Sequence, residues 1–271
     1  MHKILFLSDL HLCAAGETII GLNPSARTKA VLDAAIADHA DADAMILLGD
    51  LAHRGEHEAY RDLQRQITDL PMPVIPMMGN HDRRDVFLQV FTDAPKTAEG
   101  HIQHVFDLGN TRIITLDSLD GPPYVDTDHA GKICPARMAF LDTALAARDG
   151  RQAIVCIHHP PFDTGIAGMD KIKLTDGDGF LDTLAQHGNL HLICGHIHRT
   201  MSGFARGVPW SMFKSPCHQG VLDLQSPNSH LSSNEPGAYG IALLTQNGVV
   251  VHSEDVGLQD RQLFGGYTTK G

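Results

Sequence analysis

The stretch NLHLICGHIH (189–198) starts as a buried strand and ends in two histidines one residue apart, His196 and His198, flanked by Gly195 and Arg199. Alone it decides little. The chain holds 18 histidines in 271 residues, so close pairs arise readily, and an imidazole at a strand end is usually a hydrogen-bonded structural group. The pair gains meaning from partners elsewhere. KILFLSD (3–9), AMILLGD (44–50), PVIPMMGN (73–80), TRIITLDS (111–118) and AIVCIHH (153–159) are, like LHLICGH (190–196), continuous apolar runs bounded by turn residues, the pattern of strands buried on both faces. Five of these six runs end in groups that bind metals: Asp9 and His11, then Asp50, then Asn80-His81-Asp82, then His158-His159, then His196 and His198. In an open α/β sheet, ligands gather at the carboxyl ends of the strands. These groups are therefore expected to converge on one crevice although they span nearly the whole chain.

Between the runs, SARTKAVLDAAIADHA (25–40), HEAYRDLQRQITDL (57–70), ARMAFLDTALAAR (136–148) and GDGFLDTLAQH (177–187) have helical spacing, which makes the chain an alternation of strands and helices. DRRDVFLQVF (82–91) suggests a further helix, with Asp82 placed to cap it or to orient His81, the cap being the nearer use. Beyond residue 200 the helical spacing stops. Asn247-Gly248 lies between two apolar runs, a hairpin signal, and HVFDLGNTRII (104–114) reads as another hairpin around Gly109-Asn110. These features predict a second, largely antiparallel sheet packed on the first, with helices outside.

Composition narrows the function. A net charge of -11 argues against a nucleic-acid polymer as partner, since that affinity rests on Lys and Arg neutralising many phosphates. A small anion can still be held where positive charge is concentrated, as at a metal centre. No run approaches the roughly 20 apolar residues of a transmembrane segment, and the short apolar run before Asp9 is a strand rather than a secretory signal. Five widely spaced cysteines without a CxxC pair read as reduced thiols of a cytoplasmic protein.

In this order, DLH (9–11), GD (49–50), GNHD (79–82), HH (158–159) and GHIH (195–198) resemble the five signature blocks of the calcineurin-like metallophosphoesterases. The GNHD ending and the HHPPF continuation (158–162) are most similar to the bacterial class III cyclic nucleotide phosphodiesterases and the related metal-dependent glycerophosphodiesterases. The resemblance implies a four-layer αββα sandwich with mixed sheets, a single domain over 1–271. Loops 120–135, 162–177 and 215–237 would then be substrate or oligomer elements, which leaves homo-oligomer formation open. It also implies two divalent or mixed-valence metal ions. Asp9, His11 and His198 would hold the first, Asn80, His158 and His196 the second, and Asp50 would bridge them. His81 would be the catalytic group beside the substrate. Of the remaining candidates, Arg54 could hold a phosphate oxygen or stand as a surface arginine at a helix entry, and His218 could approach the cleft from a late loop as a substrate contact. The stretch GDLAHRG, with His53 before Arg54, and Asp82 after GNH depart from the protein serine/threonine phosphatases, which carry an acidic residue and a glutamate there. A phosphoprotein substrate is therefore disfavoured.

The donor set explains the chemistry. Two ions about 3.5–4 Å apart can share a water, lower its pKa toward neutrality and clamp the attacking and leaving oxygens of an in-line displacement. Imidazole, carboxylate and amide donors suit Mn, Fe, Zn or Co better than Ca, and the lack of thiolates argues against a structural zinc cluster. Two divalent ions, less two carboxylates and a shared hydroxide, leave about one positive charge, the match for a phosphodiester monoanion. The expected activity is hydrolysis of a small phosphodiester such as a cyclic nucleotide or glycerophosphodiester. A phospholipase C-type or a phosphonate or phosphate monoester hydrolase is the alternative on the same site. A non-catalytic scaffold is the remote one, and all seven ligand positions are filled.

Overall fold

The computed structural model describes residues 1–125 and 129–258. Along the chain come β1 (His2–Leu7), α1 (Pro24–His39), β2 (Ala44–Leu47), α2 (His57–Ile67), β3 (Val74–Pro76), α3 (Arg84–Val90), β4 (His104–Leu108), β5 (Thr111–Leu116), α4 (Pro135–Ala146) and β6 (Gln152–Ile157). Then follow α5 (Gly177–His187), β7 (Leu190–Cys194), β8 (Met201–Ala205), β9 (Val208–Met212), the two-residue strands β10 (Gln219–Gly220) and β11 (Ser232–Ser233), β12 (Ala238–Thr245) and β13 (Gly248–Asp255).

Successive strand side chains point to opposite faces, and here both faces are apolar, so each strand feeds two cores. Leu5, Leu7, Met45 and Leu47 pack with Val31 and Leu32 of α1, Tyr60 and Leu63 of α2 and Phe87 of α3. The alternate residues Ile4, Phe6, Ile46 and Leu48 meet Ile113, Ile154 and Ile193 of the other sheet. That sheet turns Leu116, Val155 and Leu192 outward onto Leu141 of α4 and Phe180 and Leu184 of α5. The result is the expected four-layer αββα sandwich.

The sheets divide the strands differently from the expectation of one parallel and one antiparallel sheet. Their orders are β13-β12-β1-β2-β3 and β4-β5-β6-β7-β9-β8. Three of the six buried runs, β1, β2 and β3, lie parallel in the first sheet, and β5, β6 and β7 lie parallel in the second. The hairpins extend these sheets: β12–β13 pairs antiparallel beside β1, and β4 pairs antiparallel beside β5. An apolar run is buried on both faces in either sheet, so its sequence does not name its neighbour. Among the described residues, no helix is long and apolar enough to cross a membrane. All five cysteines are unpaired.

Candidate metal centre

The two sheets present their candidate ligands at one shared end. Asp9 and His11 follow β1, Asp50 follows β2 and Asn80 follows β3; His158 follows β6, and His196 and His198 follow β7. The backbone there is strained. Asp9 (φ 58°), His11 (48°), Asp50 (49°), His196 (73°) and His198 (54°) are all left-handed. Asp and His tolerate that region better than most residues, but it persists only where surroundings hold it. The hold is visible: Asp9 N donates to Gly49 O at 3.1 Å and His11 N to Asp50 O at 2.8 Å, while His196 N donates to Asp9 Oδ1 at 3.0 Å. Gly79 lets the third loop lie directly on Asp50, since a Cβ there would run into the carboxylate and its backbone nitrogen.

The imidazoles are oriented from behind. His158 Nδ1 donates to Leu48 O at 2.7 Å and His198 Nδ1 to His218 O at 2.9 Å, so each turns its Nε2 inward. His198 Nε2 lies 3.4 Å from Asp9 Oδ1 and 3.0 Å from His11 Nε2. His158 Nε2 lies 3.4 Å from Asp50 Oδ2 and 3.2 Å from Asn80 Oδ1, and Asp50 Oδ2 is also 3.6 Å from His11 Nε2. His196 Nε2 is buried with no hydrogen-bond partner among the described residues.

Electrostatics follow from this crowding. Burial and the neighbouring His158 push His196 down to about 3, and burial and His81 hold His11 well below the usual imidazole range. Burial also lowers His158, but Asp50 and Asp9 carry it up to about 9. Burial works to raise Asp50, yet His158 and His81 hold it well below the usual carboxylate range. Two buried carboxylates thus demand positive charge: they draw it onto His158 and His198, while burial keeps His11 and His196 neutral and in want of another partner.

A metal ion meets both demands, and the donors fit one. Nitrogens bound to one ion at about 2.0–2.1 Å lie roughly 3.0–3.4 Å apart. The His11–His198 separation of 3.0 Å falls in that range. Asp9, His11, Asp50 and His198 bring their donor atoms within 4.8 Å of one another, as do His158, His159 and His196. Asp50 touches both sets, which fits a dinuclear metal centre.

Around this core the structure places the other candidates unevenly. His81 lines the cleft; its backbone N donates to Asp50 Oδ1 at 2.8 Å and its Nδ1 to His53 O at 2.7 Å. His218 joins the cluster, its ring 4.6 Å from that of His198, and its carbonyl anchors that residue. Arg54 lies further out, 64 % exposed and donating to Glu17 Oε2 at 3.2 Å, on the rim of a polar chamber beyond His81. His159 is buried against Ser118 Oγ at 2.7 Å, with the backbone of Gly131 against its ring. Asp82 is not the cap of α3, a position held by Arg83. It accepts instead from Leu51 N, Ala52 N, Gly79 N and the Tyr60 hydroxyl, tying the Asp50 loop to the Asn80 loop.

Two further histidines take part, although nothing in the sequence assigned either a role at the site. His129 Nδ1 accepts from Asn80 Nδ2 at 2.9 Å, which leaves Asn80 Oδ1 facing the cluster. His53 places Nδ1 3.2 Å from His11 Nδ1. Their rings sandwich His81 in a column, at 5.2 Å (His53) and 5.1 Å (His129) between centroids. The only signal for His129 was its place in loop 120–135.

A sandwich whose two sheets offer imidazole and carboxylate donors at one common end is the architecture of a metal-dependent hydrolase. The chain belongs to the calcineurin-like phosphoesterases, whose family model matches residues 2–200. It is 37% identical over 252 residues to a probable cyclic nucleotide phosphodiesterase of Rhodopseudomonas palustris, covering 92% of this chain and 91% of the relative. It is 28% identical over 220 residues to a probable glycerophosphodiester phosphodiesterase of Arcobacter nitrofigilis, covering 79% and 78%. In fold it is similar to a dimetal phosphatase from Danio rerio, with a TM-score of 0.73, 14% identity, and coverage of 94% of this chain and 96% of that one.

Proposed function

We propose that this protein is a phosphodiesterase hydrolysing small phosphodiesters at two metal ions, with Asp9, His11 and His198 at the first, Asn80, His158 and His196 at the second, and Asp50 between them. The observation that carries the reading is the inward convergence of imidazole nitrogens on Asp9 and Asp50, with His158 and His198 tied to carbonyls behind. Two ions drawn from Mn, Fe, Zn and Co supply Lewis acidity and lower the pKa of water at such a site. The chain's own groups do the positioning. Asp82 fixes the loops that carry Asp50 and Asn80 relative to each other. His81, with Nδ1–H tied to His53 O, keeps Nε2 for the cleft and, when protonated, can donate to a leaving alkoxide. His218 and Arg54 stand as substrate contacts, Arg54 at the outer chamber.

Small diesters are the preferred class because a monoester dianion brings one more negative charge than the centre balances, and uncompensated charge is costly where water is excluded. Relatives named for cyclic nucleotides and for glycerophosphodiesters support the same class. The reading places one metallophosphoesterase domain over 1–271 in the cytoplasm, in keeping with its unpaired cysteines. Loops 162–177 and 215–237 select substrate, as Met169, Ile172 and Leu231 line the cleft. One metal-loaded preparation should cleave bis(4-nitrophenyl) phosphate with higher kcat/KM than 4-nitrophenyl phosphate. A natural diester should likewise surpass its product monoester. Monoester values equal or higher in both pairs would make this a general phosphatase.

A further inference from the structure

The turn after the first ligand loop is built against its own chemistry. Ile19 and Leu22 exchange both backbone hydrogen bonds, Ile19 N to Leu22 O at 2.9 Å and Leu22 N to Ile19 O at 2.8 Å, around Ile20 (φ 46°) and Gly21 (φ 80°). Two central residues with positive φ make a primed hairpin turn, which favours Asn or Asp followed by Gly. Gly21 obeys this. Ile20 does not: a β-branched residue in the left-handed region is an outlier that costs stability. Burial does not repay it, because Ile20 is 52% exposed. A Cβ on Gly21 would meet nothing within 4 Å, so that side of the turn is open.

Ile20 does face something chemically defined. It lines a chamber of about 260 Å³, with Met169, Ile172 and Leu231 as further apolar wall and Asp50, His196 and His198 at its floor. An apolar occupant there must be attached to the group that those ligands attract. We infer that Ile20 is a specificity-determining residue, holding an apolar arm of the diester, such as an aryl group, against this wall. The space suffices, since a cavity of about 150 Å³ accommodates a benzene ring. The inference rests on the phosphodiesterase reading above.

The test uses the metal-loaded protein and two diesters that share a leaving group, phenyl 4-nitrophenyl phosphate and methyl 4-nitrophenyl phosphate. Wild type should favour the phenyl ester in kcat/KM, and Ile20→Asn should lower that phenyl-to-methyl ratio about tenfold, the scale of a lost apolar pocket contact. The same variant gives the turn its preferred Asn-Gly pair and should raise Tm by about 2–4 °C. Ile20→Val, strained but apolar, should keep most of the ratio without the gain in Tm. A lower Tm in Ile20→Asn would make Ile20 a packing residue and overturn the inference, as would an unchanged ratio. A wild type that cleaves neither ester overturns the phosphodiesterase reading itself, and this inference with it.

Discussion

Replacing His129 with Phe removes one hydrogen-bond acceptor while leaving a ring to stack on His81. The acceptor receives a hydrogen bond from Asn80 Nδ2 at 2.9 Å, the contact that turns Asn80 Oδ1 toward His158. A neutral hydrogen bond at a half-buried site contributes about 0.5–1.5 kcal/mol. If all of it serves to orient the amide, an ion held by Asn80 should bind roughly 2- to 12-fold more weakly, approaching the 10–100-fold losses seen when partners behind metal ligands are removed. Calorimetric titration of the metal-free protein with Mn²⁺ reads this directly: the weaker of two binding steps should loosen by that factor. His129→Asn, whose Oδ1 can accept the same hydrogen bond, should recover most of it. The decisive comparison is made in an Asn80→Asp background, where a symmetric carboxylate needs no orienting and His129→Phe should cost less than about twofold. Equal losses in both backgrounds would refute the orienting role and leave His129 as loop packing.

Asp50→Ala should abolish two-metal occupancy and activity together, whereas Asn80→Ala should keep the first ion; metal analysis of the purified variants separates the outcomes, and unchanged stoichiometry in Asp50→Ala refutes the bridge. His81→Ala should lower kcat by roughly 10²–10⁴ with metal content preserved, and more for an alkoxide leaving group than for nitrophenolate; equal losses would point to charge stabilisation instead. Arg112 and Arg151 bracket Asp107 and hold its carboxyl down at about 2. Because that pKa is depressed in the fold, the contribution is full above the unfolded value near 3.9 and vanishes as pH falls through about 2. In so exposed a network it is under about 1 kcal/mol. Denaturation curves of wild type and Asp107→Asn should therefore differ at pH 5 and converge toward pH 2.

The strands and their ligand-bearing ends were legible because both are local. LHLICGH carries its burial in five residues and its donors in the next few, and the same holds at Asp9, Asp50, Asn80 and His158. Sheet membership was not local. β1 joins β2 in one sheet and β5 joins β6 in the other through backbone pairing that leaves no mark on runs already apolar throughout. Asp82 was misread for a related reason: a carboxylate just before a helix has a cap as its nearest use, while its partners Leu51, Ala52 and Tyr60 are 22–31 residues away. His129 had no periodicity to mark it, and its partner Asn80 lies 49 residues back.

One feature of the first sheet bears on how the chain is made. β1 sits between β2 and β12, and its antiparallel partners are residues 240–244. On the ribosome, Ile4-Leu5-Phe6-Leu7 would emerge before β2 and pair with it soon afterward, but the other edge has no native partner until β12 is synthesised. At about 5–20 residues per second, that edge stands open for roughly 10–50 s. An apolar strand with unpaired backbone groups is a template for any neighbouring chain. The nascent protein is thus most exposed to aggregation in the interval before β12 appears, and a truncation just short of Ala238 should be recovered in inclusion bodies or bound to chaperones.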